Sequence, residues 1–532
     1  MNERLHAEPR GEAWVLRLEP APAPLDAAER QRMDAAQARG RAGVLAAWSA
    51  LAGASDAWRL EWGKCALGDG EVAMGFAEEV ADACVRRPAE AHTARAPAGC
   101  LSLDATARAL RARGLRVAAA AGGVRARFVL ACVAAFAAWV ATLLRTLGEG
   151  RAVPAAKLVL AVHGETSTRT RHVLALRREC ADAPVLLLGR PRGSGRALAK
   201  AWAGDAPLAW SRPFDLRAAL ASLPRALALL REGGRLAAAQ PWSPPFAALA
   251  AMAYRVVLGA ASAHWWTRTR PRVGTVVFGH TGLADTTLLE RAMQAQGTRT
   301  IHAVHGVSAG LNFAGVSSLA LLRCAHDARW HARLGGYGAC RAVAAPAPPR
   351  REPGPPVLFV GNLLHPMNLG YRAAGAAPEI EAMRATADAL DALGDAAPRY
   401  WKPHPVHARL PAAEVAAATA AAAALGFARW PGAAALDSAG PLRAVCTTST
   451  VALDLLAAGH LPIVLATQAL DPAAALAGWP LLATDPATLT AALRRLADPA
   501  AAAAAWAAAW DRIGPAPALD LAALDPPDGA HA

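Results

Sequence analysis

The chain is 532 residues long, too long for one ordinary domain, so two or three are expected. Its formal charge is +14, yet the basic residues are scattered. That argues against a nucleic-acid module and leaves an Arg-rich surface, an anionic membrane or an anionic substrate. The eight cysteines show neither CxxC nor Cys/His zinc spacing, so they read as buried thiols of a reducing, cytoplasmic compartment.

The start, "MNERLHAEPRGEAW", is charged and has no apolar core, so no secretory signal is expected there. Residues 1–150 show no clear strand–helix rhythm and read as an accessory, partly helical region. A short strand precedes a Pro-rich turn, and "LDATARALRARGL" reads as a surface helix. Within this region "FVLACVAAFAAWVATLL" (128–144) lacks any charge and is flanked by Arg125, Arg127 and Arg145. A bilayer span needs about 20 apolar residues. The expectation is a buried core helix, ahead of an interfacial helix and of a span, with peripheral membrane contact at most.

From about 155 the pattern alternates. "KLVLAVHG" (157–164) is an apolar run of the kind that forms a buried parallel strand. "PVLLLG" begins a second strand, followed by the loop "GRPRGSGR" (189–196). Its glycines and arginines could hold phosphate, but it lacks a P-loop pattern and reads as surface. Helices are expected over 216–234 and 245–266. "GTVVFGHTG" (274–282), "DTTLLERAMQAQG" (285–297) and "TRTIHAVHG" (298–306) make a strand–helix–strand unit, and 316–324 a further strand. "HWWTRTRPR" (264–272), with two Trp beside basic residues, suits a membrane interface or an anionic acceptor, or else a helix end packed under the linker.

The Pro-rich, basic stretch 342–356 is the best linker. The alternation then restarts: "PVLFVGN", a helix from 379, "RYWKPHP", a helix from 412, "RAVCTTST", "VALDLLAAG", "LPIVLA" and closing helices. The expected architecture is α/β: two Rossmann-like domains, 151–341 and 357–515, facing a cleft, with a tail over 516–532. Ligands of such sheets sit at the carboxyl ends of strands.

Two strand ends in the second half carry chemistry. Pro403 and Pro405 bracket His404, fixing it rigidly two residues after Lys402. Thr447, Thr448, Ser449 and Thr450 lie at a strand-to-helix junction, where hydroxyls and free N–H groups can cradle phosphate, with Asp454 on the following helix. The plain structural reading is a capped helix with an acidic first turn. "GNLLHPMN" (361–368) either faces the cleft or forms a turn.

"KPHP" followed by "TTSTVALDLLAAGHLPIVL" resembles the C-terminal domain of GT-B bacterial surface-polysaccharide glycosyltransferases, over roughly 270–515. The nearest-looking branch is the capsule Kdo/sialic-acid transferases, which use CMP-sugars; CDP-glycerol glycerophosphotransferases share the layout. The resemblance implies a metal-independent, cofactor-free transferase of capsule or lipopolysaccharide assembly. Its donor would be a nucleotide-sugar, its acceptor a glycan or lipid-linked glycan, and its place the inner face of the membrane. It implies donor binding for Lys402, His404, Pro405, Ser449 and Thr450, and a ribose contact for Asp454. The acidic motif that the sialyl branch uses as base is absent. "HTGLADTTLLERAMQAQGTRTIHAVHG" is similar to a segment in which a strand ends in His-Gly at the cleft. That makes His305 the preferred base, with His280 and His163 also on strand ends and Asp285 and Glu165 as carboxylate alternatives. A non-catalytic glycan-assembly protein of the same fold is the reading from another class.

Overall fold

The computed structural model describes residues 2–21, 26–66, 70–97, 100–118, 123–146, 153–163, 173–174, 183–188, 210–304, 306, 314–342, 348–361, 376–403, 412–431, 440–447, 451–466 and 475–513. Two compact units emerge. The first is Met1–His305 with Leu311–Ala320 and Leu334–Ala339; the second is Gly306–Gly310, Leu321–Arg333 and Cys340–Ala532.

The first unit opens with a hairpin, β1 (Asn2–Arg10) and β2 (Ala13–Ala21). Gly11 turns it at φ +63°, the positive φ that two-residue hairpin turns need. Helices α1 (Ala27–Ala50), α2 (Asp56–Cys65) and α3 (Glu71–Arg86) follow. After them come β3 (His92–Pro97), α4 (Leu103–Ala112), β4 (Arg116–Val117) and α5 (Val124–Thr146). The small sheet runs β3-β1-β2-β4. Helices α1 and α3 touch backbone to backbone: a Cβ on Gly75 would stand 1.6 Å from the Ala36 carbonyl oxygen. Far from lying on the surface, α4 buries Thr106, Ala109 and Leu110.

Next in this unit are β5 (Ala156–His163), β6 (Val185–Leu188), β7 (Trp210–Ser211), α6 (Leu216–Ala221), α7 (Leu223–Ala239) and α8 (Phe246–Thr269). They lead to β8 (Val273–Phe278), α9 (Ala284–Gln294) and β9 (Arg299–Ala303); β10 (Leu319–Leu322) and β11 (Ala339–Ala342) have residues in both units, and α10 (Ala325–Leu334), but for Leu334, belongs to the second. The sheet order is β11-β10-β9-β8-β5-β6-β7. The pairs β5–β6, β5–β8, β6–β7 and β8–β9 are parallel. The chain therefore winds outward from β5 through β6 and β7, returns to β8 beside β5, and continues the other way. That is Rossmann-like winding, with its switch point between β5 and β8.

Two expectations change here. Trp265 and Trp266, at the end of α8, are buried in the core beneath this sheet with Val159 and Phe278, so they form no membrane interface. In contrast, α5 is no fully buried core helix. Phe128, Ala131, Ala135, Trp139 and Leu143 pack inward, while Val129, Leu130, Val133, Val140 and Leu144 are 46–65 % exposed.

The second unit holds β12 (Val357–Val360), α11 (Ala377–Ala392), β13 (Arg399–Lys402), α12 (Ala412–Ala424), β14 (Phe427–Arg429) and β15 (Arg443–Thr447). It ends with α13 (Val451–Ala457), β16 (Ile463–Leu465), β17 (Leu482–Ala483), α14 (Pro486–Ala497) and α15 (Pro499–Ile513). All pairs of its sheet, β14-β13-β12-β15-β16-β17, are parallel. The winding repeats, with a switch point between β12 and β15. The expected α/β fold with two Rossmann-like domains thus follows from the strand order of the two parallel sheets. The central strands are apolar on both faces (Val357 to Val360 are all buried) because helices cover both sides.

Candidate functional sites at the two switch points

At the first switch point, β5 ends in His163, and β8 runs into Gly279-His280-Thr281-Gly282. The Gly279 N–H donates to the Ala161 carbonyl at 3.3 Å, which holds the two strand ends together. The imidazoles of His163 and His280 meet edge to face, 5.5 Å between ring centres at 64°. Gly282 sits at φ +78°, and a Cβ there would stand 1.9 Å from the Ala314 carbonyl oxygen and 2.3 Å from the Lys64 Nζ. Only glycine fits this turn.

Beneath the turn lies a cluster of buried charges that the sequence reading does not anticipate. Lys64, from α2, donates to the Thr281 carbonyl at 2.8 Å. Glu61, also from α2, accepts the Ala284 N–H at 2.8 Å and so caps α9 from outside its own segment. Arg255 of α8 grips the same carboxylate as a fork, Nε to Oε1 and Nη2 to Oε2, both at 2.6 Å. Burial works against the Arg255 charge, but Glu61 overrides it and holds the guanidinium above its ordinary range.

Asp285 follows immediately. Burial pushes it up to about 6, opposed by Arg255 and reinforced by Glu61, while its Oδ1 accepts the Thr286 N–H at 3.0 Å. It lines a cavity of about 20 Å³ with Arg212, Phe214, Leu188, Ser262 and Thr286, room for about one water. One turn on, burial pushes Glu290 up to about 8; its Oε2 accepts from Ser317, while its Oε1 is buried without a hydrogen-bond partner. A signal for α2 was present. In "DAWRLEWGKC" Glu61 and Lys64 share helical spacing with Ala57 and Trp58, so charges stand on the stripe that must be buried.

At the second switch point, Val360, Lys402 and Cys446 end in register across β12, β13 and β15, and the Gly361 N–H donates to the Lys402 carbonyl at 3.2 Å. Thr447 closes β15 with its Oγ1 buried and lacking a hydrogen-bond partner. Glu379 of α11 lies against Gly361, where a Cβ would come within 1.7 Å of its Oε1. Burial pushes Glu379 up to about 7, partly offset by the Trp401 Nε1–H that donates to Oε1 at 2.7 Å. Asp454 on α13 is half-exposed, and its Oδ1 accepts from Arg323 Nη1 at 2.8 Å.

Of the residues singled out by sequence, His163, His280, Asp285, Lys402, Thr447 and Asp454 are therefore placed. His163, His280 and Asp285 lie at one switch point; Lys402 and Thr447 lie at the other, with Asp454 on the helix that follows. His305, His404, Pro405, Thr448, Ser449 and Thr450 lie outside the described residues, as do Glu165 and the 189–196 loop. Among the described residues no group of three His, Cys, Asp or Glu could hold a metal ion.

No protein-family profile matches this sequence, and no curated protein matches it. Solved structures similar to the chain include the S. aureus MnaA–UDP co-structure, at 10 % identity and TM-score 0.36. Another is a Listeria monocytogenes protein assigned as a UDP-N-acetylglucosamine 2-epimerase, at 11 % identity and TM-score 0.39. Each comparison covers 68 % of this chain and 93 % of the other. The fold assignment stands on the strand order of the two parallel sheets.

Proposed function

We propose that the chain is a glycosyltransferase that takes its sugar from a nucleotide-activated donor and binds the donor phosphate at the second switch point. The observation that carries this reading is the placement of Lys402 and Thr447. They end the strands on either side of β12, one supplying a cation and the other a buried hydroxyl. Ligands of doubly wound sheets bind at that crevice. With His404 two residues beyond Lys402, and with Thr448 to Thr450 following Thr447, the same oxygens would be met by charge and hydroxyl groups together. That set can stabilise a leaving phosphate in the role a metal fills elsewhere.

The acceptor side falls to the first unit. His280, beside His163, is the described imidazole best placed to take a hydroxyl proton, with His305 as the further candidate. Asp285 looks onto space for a single water, so it fits a positioning role better than direct attack. Asp454 would serve the ribose only if it exchanged or shared its Arg323 contact.

The motif resemblance points first to a CMP-linked donor and a surface-glycan acceptor. A thermal-shift panel of CMP, CDP, UDP and GDP tests the donor site and the nucleobase it takes, and release of the free nucleotide only when a glycan acceptor is added tests the transfer. Ligand at about 100 times its Kd adds roughly 2.7 kcal/mol to the stability of the state it binds. One nucleotide should raise the melting temperature, and Lys402→Ala should abolish that rise while leaving the unliganded melt in place. If none of the four shifts the melt, the donor-site reading fails. If CMP is silent and UDP acts, the CMP assignment alone fails.

A further inference from the structure

We propose that the exposed face of α5, with the α7 against which it packs, is a docking surface for an anionic lipid bilayer, with α5 lying in the plane of the interface. This inference is independent of the donor-site reading. Eleven large apolar side chains are exposed among the described residues. Five are on α5, three on α6 and α7 (Leu216, Leu220, Leu227), and Phe246 opens α8. The five on one face of α5 form a continuous apolar stripe, which marks an interaction site, whereas scattered exposed apolar residues are ordinary.

On α5 the exposed set recurs at helical spacing, from Val129 and Leu130 through Val133 and Val140 to Leu144. It lies opposite the buried stripe of Phe128, Ala135 and Trp139. The buried stripe packs on α7 and α8 and forms part of the unit's core. Pulling α5 out to cross a membrane would expose that core, so the geometry points to a helix that lies on the membrane.

Charge selects the occupant. Residues 124–146 contain no acidic residue, and residues 216–239 contain one, Glu232, which is half-buried and accepts the Ser55 N–H at 2.6 Å. Arg125, Arg145, Arg217, Arg225, Arg231 and Arg235 are exposed on the same helices. An apolar face rimmed by arginine suits anionic headgroups, to which each nearby basic residue adds attraction. A second copy of the chain fits less well. Pairing α5 antiparallel would bring Arg125 onto Arg145, and pairing it parallel would bring each arginine onto its own copy, so both arrangements set like charges together.

Co-sedimentation of the full chain tests the proposal, with phosphatidylglycerol–phosphatidylcholine vesicles compared with pure phosphatidylcholine. The protein should pellet with the anionic vesicles at low salt and be released by high salt. Leu130→Glu/Val133→Glu should weaken partitioning by roughly tenfold or more, with an unchanged far-UV spectrum and melt because both positions face water. Arg125→Glu/Arg145→Glu, chosen in case the first variant misfolds, should weaken binding and flatten its salt dependence. The proposal is overturned if the wild type stays in the supernatant with anionic vesicles, or if a folded variant of either kind pellets like the wild type. A solution dimer that these substitutions dissolve would also overturn it, in favour of a second copy.

Discussion

Replacing Arg255 by leucine would remove the cation from the cluster beneath the first switch point and leave Glu61 and Asp285 buried without it. Glu61 is 1 % exposed and receives both arms of the guanidinium at 2.6 Å. Breaking one partner of such a pair costs about 3–5 kcal/mol, because the surviving charge stays desolvated. The first unit spans about three hundred residues, so its melting temperature should fall by roughly 1.5 °C per kcal/mol, about 5–8 °C in all. Arg255 also opposes the burial that pushes Asp285 up to about 6. Without it Asp285 rises further, and an acid raised in the folded state loses stability as pH rises through that value. The deficit of Arg255→Leu should therefore be larger at pH 8 than at pH 5. The double variant Glu61→Leu/Arg255→Leu should recover part of the loss, giving a coupling of about 2 kcal/mol or more, less the helix cap that Glu61 supplies to Ala284. Thermal melts of the four proteins at the two pH values complete the cycle. Additive losses, or a deficit independent of pH, would refute the account of this cluster as one electrostatic unit.

Glu290 is an acid raised to about 8 by burial, so its stability contribution is present below the ordinary carboxylate range and lost as pH climbs to 8. Glu290→Gln should gain on the wild type from pH 5 to pH 9 in thermal melts, and a pH-independent difference would contradict this. His460 has the opposite sign: burial and Arg351 lower it to about 4, so stability is present above the ordinary histidine range and is lost as pH falls from about 6.5 to 4. His460→Phe should flatten that acid limb, and an unaltered limb would count against a buried neutral imidazole. Gly361→Ala should cost about 1–3 kcal/mol through overpacking against Glu379, and a wild-type denaturation midpoint would show that the carboxyl can swing away freely.

Much of the fold could be read from apolar runs, because strands covered on both faces leave no alternation to misread. "LVLAV", "TVVF", "VLFV" and "AVC" all became central strands. Strands of two or three residues at the sheet edges, such as β14 and β17, escape because so short a run has no period. The positions of Lys402 and Thr447 were legible as strand ends: Pro403 follows the one, and the apolar run "AVC" stops at the other. Glu61, Lys64 and Arg255 were not, because their meeting depends on a helix brought in from nearly two hundred residues away. The exposed face of α5 escapes the sequence for a related reason. A helix that is apolar all round predicts burial all round, and composition says nothing of which neighbours are present to supply it.

That same long-range contact decides what the first 150 residues are for. Trp58 of α2 fills the space over Gly233, where even a Cβ would come within 2.2 Å of its ring, and its Nε1–H donates to the Leu229 carbonyl at 2.6 Å. Trp62 is as deeply buried, and Arg291 of α9 reaches back to Asp56 at 2.7 Å. A chain begun at residue 151 would lose both tryptophans, each worth about 3–5 kcal/mol when truncated to alanine. It would also lose the partner of Arg255, the cap of α9 and the five α5 side chains packed on α7 and α8. Those losses together exceed the 5–15 kcal/mol by which a whole domain is usually stable. The shortened chain is therefore expected to aggregate, or to melt without cooperativity, when produced alone and followed by circular dichroism and limited proteolysis. A soluble monomer with a sharp thermal transition would show that the first parallel sheet folds without α2 and α5, and that the N-terminal residues are an appendage to the site above them.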